Sequence, residues 1–90
     1  MKNFKIELKE SENINNKEIK ELEFREPTGA DMEEFLGEMV SEGGKVNIGK
    51  SVTGLAARCV VSHSLSEDDI RAFSAKNYME IAKGFMGFLV

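Results

Sequence analysis

A chain of 90 residues, 41% hydrophobic and 31% charged, predicts one domain spanning residues 1–90, near the small end of what folds without staples. That balance suits a soluble globular domain and argues against intrinsic disorder. A net charge of −4 with acids and bases interspersed weighs against nucleic acid, which rewards a basic face. One cysteine and one histidine build neither an internal disulfide nor a zinc site, so a reducing, intracellular setting is the default. The N-terminus lacks the apolar run of a signal peptide, and no segment is long enough to span a bilayer.

Phe4, Ile6 and Leu8 alternate with Lys5, Glu7 and Lys9, the period of a half-buried strand. Ser11 to Asn16 is polar and turn-prone, which predicts a hairpin loop. Leu22 and Phe24 resume period two while Ile19 is out of phase, so a bulge between Ile19 and Leu22 would restore the register. Residues 1–26 therefore read as an antiparallel hairpin, marginal alone and in need of helices to cover its apolar face.

Pro27 ends the second strand, because it cannot donate to a ladder and keeps Glu26 out of the α region. Thr28 and Asp31 then form a capping-box variant, and Asp31, Glu33 and Glu34 place negative charge where the helix dipole favours it. From there, residues 28–90 read as helical. Met32, Phe35, Leu36, Met39 and Val40 share one helix face, which Gly43-Gly44 terminates. Val52, Leu55, Ala56, Cys59 and Val60 repeat that spacing in a second helix, Ile48 to His63. Ser66 with Asp69 opens a short helix with Ile70 and Phe73 inward. Ser74 caps the last helix, with Tyr78, Ile81, Ala82, Phe85 and Leu89 on its buried face. The predicted fold class is α+β, an N-terminal antiparallel hairpin packed on about four helices.

Gly44 to Ser51 fits the phosphate-loop pattern G-x-x-x-x-G-K-[ST], in which Lys50 would reach the phosphates and Ser51 a magnesium ion. Its context opposes it. The loop should follow a buried strand, yet Phe35 to Val40 has helical spacing, and too little chain follows Ser51 for a parallel sheet. The simpler reading is a Gly-rich linker and a helix N-terminus. His63 suits a helix C-terminus, Cys59 a core position, and Glu67, Asp68 and Asp69 a helix first turn. No arrangement suggests catalysis, so the sequence predicts no enzyme, no catalytic residue, no metal site and no cofactor.

The segment Gly84 to Val90 is apolar almost all round. Phe85 and Leu89 fit the buried stripe, whereas Met79, Met86 and Phe88 lie beyond it and are the candidate partner-binding residues. One reading buries them within the fold; the other leaves a sticky strip. Covering such side chains with a partner gains ~1.5–3 kcal/mol each, and methionine adapts to varied partner shapes.

Three local features resemble the phage tail assembly chaperone family of contractile-tailed phages and prophages. Leu22-Glu23-Phe24-Arg25-Glu26-Pro27-Thr28-Gly29-Ala30-Asp31 is similar to its strand–REPT-x-x-D–helix signature. Leu55-Ala56-Ala57-Arg58 followed by Ser64 to Ile70 resembles its small-residue helix and capped turn. Phe73-Ser74-Ala75-Lys76-Asn77-Tyr78 with Gly84-Phe85 resembles its closing motifs. Asn77 stands where an acid is common, a departure that costs little for a residue that only caps a helix. In this signature Arg25 and Glu26 serve geometry and solvation.

The resemblance implies a non-enzymatic chaperone that binds the long, helical tape-measure protein and keeps it soluble until tail-tube subunits polymerise around it. It further implies, as partners, a frameshift-extended form of the chain itself and the tail tube protein, with no nucleic acid and no membrane. The expected place is the cytoplasm of the bacterial host and not the finished virion. The chain stops soon after its last helix, as the short product of a frameshifting gene would. The alternatives are a small adaptor or regulatory module and a nucleotide-phosphate binder through residues 44–51.

Overall fold

A computed structural model describes residues 3–40, 44, 46 and 48–87. The expected α+β architecture is present: strands β1 (Asn3–Ile14) and β2 (Lys17–Arg25), then helices α1 (Gly29–Met39), α2 (Ile48–Cys59), α3 (Glu67–Arg71) and α4 (Ala75–Met86). The strands form a two-stranded antiparallel sheet. Ile6, Ile19, Leu22 and Phe24 from the hairpin share one core with Phe35, Leu55, Cys59, Ile70, Ile81 and Phe85 from the helices. Phe4, Phe24 and Phe85 tie both strands to α4, with ring centroids 5.0–5.5 Å apart in stacked and edge-on pairs.

The hairpin turn is tighter than expected. Ile14 pairs with Lys17, and Asn15 and Asn16 alone make the turn with φ of 54° and 65°. Asparagine tolerates the left-handed region that a two-residue hairpin of matching twist requires. The register correction expected between Ile19 and Leu22 falls on the other strand. Between the pairs Glu7↔Glu21 and Glu12↔Ile19, β1 advances five residues while β2 recedes two. Leu8 to Ser11 stand opposite Lys20 alone, three residues more than the ladder can match, and their backbone draws on a partner outside the sheet.

Asn77 is that partner. Its side chain is fully buried, and Oδ1 accepts hydrogen bonds from the Lys9 and Glu10 amides at 2.8 and 3.2 Å. Nδ2 donates to the Glu10 carbonyl at 2.8 Å and to Glu12 Oε2 at 2.6 Å. Glu12 Oε2 also accepts from the Ser74 amide at 2.7 Å, at the start of α4. The Asn77 amide is itself capped by Ser74 Oγ at 3.3 Å. The departure from an acid at this position is therefore not a minor matter of capping: the bulge needs a donor and two acceptor lone pairs in one side chain. At Gly84, one end of α4 lies so close to β1 that a Cβ would stand 2.5 Å from Ile6 Cδ1.

The end of β2 and the start of α1 are locked by one carboxylate. Asp31, buried, accepts from the Arg25 guanidinium at 2.5 and 3.2 Å, and from the Thr28 amide and hydroxyl at 2.8 and 3.0 Å. Thr28 Oγ1 accepts from the Asp31 amide at 3.2 Å, completing the expected capping box. Arg25 Nη2 also donates to the Arg58 carbonyl at 3.2 Å, bringing in the last turn of α2. The Arg25 hydrogen bond first, then those from Thr28, hold the Asp31 carboxyl well below the usual carboxylate range against the opposing effect of burial. Ser66–Asp69 forms the second capping box as expected.

Two helices end before their predicted limits. α1 stops at Met39 because Val40 turns extended and bridges to Val46; Gly44, at φ 77°, lies beyond that exit, and Gly43 is outside the described residues. α2 stops at Cys59, not His63, because Val60 bridges to Phe24 and the Val61 amide donates to the Glu23 carbonyl at 2.9 Å. That segment covers the outer edge of β2, which would otherwise stand open. His63 therefore lies outside the helix, sharing a 2.8 Å hydrogen bond with the Ser62 hydroxyl.

Asn77→Asp is expected to lower unfolding free energy by about 3 kcal/mol at pH 7, since it removes the buried donor and sets a second carboxylate against Glu12. Burial raises the pKa of the introduced carboxyl, so the deficit shrinks as pH falls toward 4; urea melts at both pH values measure this. For Asp31 the sign is opposite. Its folded pKa is depressed, so its contribution is complete above the unfolded value of about 3.9 and is lost as pH falls toward the folded value. Asp31→Asn is expected to cost about 3 kcal/mol at pH 7 and to flatten the acid limb of the stability curve below pH 4.

Candidate partner-binding surface

α4 has two chemically different sides. Asn77, Ile81 and Phe85 are buried, and Tyr78 leans on α2, where its hydroxyl donates to the Gly49 carbonyl at 2.9 Å and lies 2.8 Å from Thr53 Oγ1. On the other side Met79 is 53% and Met86 46% exposed. Of the three expected contact residues these two stand in solvent on one helix, as the sticky-strip reading requires; Phe88, with Leu89, lies outside the described residues.

Met79 forms a ridge between two open grooves. One, of about 590 Å³, runs toward α2 and α3 past Lys50, Thr53, Phe73 and Tyr78. The other, of about 650 Å³, runs toward β1 past Lys9, Lys76, Glu80 and Lys83. Lys83 and Lys9 reach Glu80 at 3.3 and 3.4 Å, and the hydrogen bond from Lys83, more than that from Lys9, lowers the Glu80 pKa.

Sequence periodicity missed a second apolar strip. Leu36 and Val40 fall on the predicted inner face of α1, yet they are 54% and 56% exposed. The reason lies in topology. α1 packs chiefly on α2, so only Asp31 and Phe35 are buried, with Met32 and Met39 at the margin. Val46 and Ile48 are also exposed and extend the strip along the chain. A hydrophobic pattern reports that a face is apolar, not that the fold covers it.

The phosphate-loop match does not acquire its required setting. The stretch follows a helix, Gly49 to Ser51 lie inside the first turn of α2, and Ser51 is fully buried. The sheet is a two-stranded antiparallel hairpin with no parallel pair among the described residues. Cys59 is a core residue whose thiol burial pushes up in pKa. Glu67, Asp68 and Asp69 are first-turn acids of α3, two of them paired with Arg71. No helix among the described residues is long and apolar enough to cross a membrane.

A family model described as "Phage tail assembly chaperone proteins, E, or 41 or 14" matches residues 5–90. The chain belongs to that family. No curated protein and no solved structure matches it. The three segments that resemble the family's motifs have physical roles in the fold. Arg25, Thr28 and Asp31 form the strand-to-helix lock, the residues around Ser66 start α3, and Ser74 to Tyr78 with Gly84-Phe85 dock α4 on the hairpin.

Because Met79 and Met86 touch solvent, Met79→Glu with Met86→Glu is expected to change unfolding free energy by less than about 0.5 kcal/mol per site. Thermal melting followed by circular dichroism checks it; a drop of several times that size would mean that the strip is buried.

Proposed function

We propose that the chain is a chaperone for the tape-measure protein, covering its helical apolar faces with the outer side of α4 and keeping it soluble until the tail tube assembles around it. One observation carries this reading: Asn77, Ile81 and Phe85 anchor α4 while Met79 and Met86 stay exposed. Both are about half exposed, so covering them gains roughly half of the ~1.5–3 kcal/mol of a full burial each, a contribution suited to reversible binding once the cost of association is set against it. Phe88 belongs to the same contact set by its place in the sequence. The chain acts by binding, without catalysis, in the host cytoplasm, and leaves before the virion is finished. The tail tube protein and a frameshift-extended form of the chain are its further partners.

Co-expression with the tape-measure protein tests the proposal. The wild-type chain is expected to move most of the tape measure into the soluble fraction. The doubly substituted Met79→Glu, Met86→Glu chain, folded by its melting curve, is expected to leave it in the pellet. Equal solubilisation by both would remove α4 as the binding surface. If the ligand proves to be a folded protein and the tape measure is ignored, the chain is an adaptor instead.

A further inference from the structure

Lys76, Met79, Lys83 and Met86 are all exposed on α4 and are spaced three, four and three residues apart. That is the spacing of a two-helix seam, in which alternate positions meet a facing helix every 3.5 residues. Here the seam alternates cation and methionine. In a chain of net charge −4, that is a local inversion of sign. The groove beside it adds Lys9, so Lys9, Lys76 and Lys83 face two acids, Glu10 and Glu80, and a surplus of one positive charge remains. Glu80 is shared by Lys9 at 3.4 Å and Lys83 at 3.3 Å, two ammonium groups on one carboxylate. Arg71, by contrast, is committed to Asp68 at 2.8 Å and Glu67 at 3.8 Å.

The second apolar strip has the opposite surroundings. Leu36 and Val40 share α1 with the exposed Glu33 and Glu34. A ligand carrying negative charge beside its apolar residues is therefore drawn to α4 and repelled from α1.

From this charge complementarity we infer that the outer face of α4 is one half of a helix–helix seam whose partner is an acidic amphipathic helix. The partner's apolar side chains seat against Met79 and Met86, and its Asp and Glu side chains meet Lys76 and Lys83. The inference rests on the reading of α4 as the chaperone's binding face and specifies which segments of the tape-measure protein it selects: those with carboxylates flanking the apolar stripe.

Affinity for the purified tape-measure protein, measured at 0.05 and 0.5 M NaCl, tests it with three chains: wild type, Lys76→Glu with Lys83→Glu, and Met79→Glu. A zero-length carbodiimide, which joins an amine only to a carboxylate in contact with it, is applied to the wild-type complex. The expected results are about tenfold weaker binding by the wild type at high salt and at least about tenfold weaker binding by the lysine variant at low salt. Cross-links are expected from Lys76 or Lys83 to partner Asp or Glu. A lysine variant that binds as the wild type does, with no such cross-links, overturns the acidic partner. Loss of binding by Met79→Glu in that same experiment would still leave α4 as the binding face. Undiminished binding by Met79→Glu overturns both.

Discussion

The carboxamide of Asn77 is the contact on which the usable surface of this protein depends. A two-stranded hairpin is marginal in isolation, and this one carries surplus residues in β1 whose backbone groups β2 cannot reach. One side chain on α4 answers two amides and a carbonyl there, and positions Glu12 to meet the amide at the start of the same helix. The bulge is thus the docking point for α4, and docking fixes the rotation of the helix. With Asn77, Ile81 and Phe85 turned inward, helical geometry leaves Lys76, Met79, Lys83 and Met86 outside. A defect in strand pairing becomes the device that turns Met79 and Met86 to the outside.

A second polar lock works at the other end of the hairpin. Asp31 gathers the end of β2, the cap of α1 and, through Arg25, the last turn of α2. Buried ion pairs add little to stability relative to apolar packing, yet breaking one is costly because it strands a charge. The lock therefore specifies where the chain turns from strand to helix more than it deepens the fold. The two locks hold the helices to one hairpin, and the aromatic trio of Phe4, Phe24 and Phe85 fills the space between strands and α4.

Much of this was legible in the residues. Alternation at Phe4, Ile6 and Leu8, the stop at Pro27, and the caps at Thr28, Ser66 and Ser74 are local chemistry, and local chemistry is written in neighbouring positions. The family was legible too, since the segments that carry the resemblance include those same caps. What failed to show were contacts between residues far apart in sequence. Ile19, out of phase, points to a bulge in β2, but the surplus residues lie in β1, and the side chain that meets the Lys9 and Glu10 amides sits 68 and 67 residues later on α4. The exits of α1 and α2 at Val40 and Cys59 are set by pairing to Val46 and to β2, which no helical period reveals. Exposure of Leu36 follows from α1 resting chiefly on α2. In the candidate surface, the place of Met79 and Met86 off the buried stripe foretells their exposure, while the lysines between them gain meaning only from the helix face they share.

The chain therefore offers two apolar strips of unlike charge, one on α4 among lysines and one on α1 among glutamates, and the first is the one proposed for the tape measure. Backbone amide chemical shifts of the ¹⁵N-labelled chain, followed as tape-measure protein is added, decide between them. The largest changes are expected along residues 76–86, with Leu36 to Ile48 unmoved. Changes confined to Leu36 to Ile48, with α4 silent, would contradict the proposal.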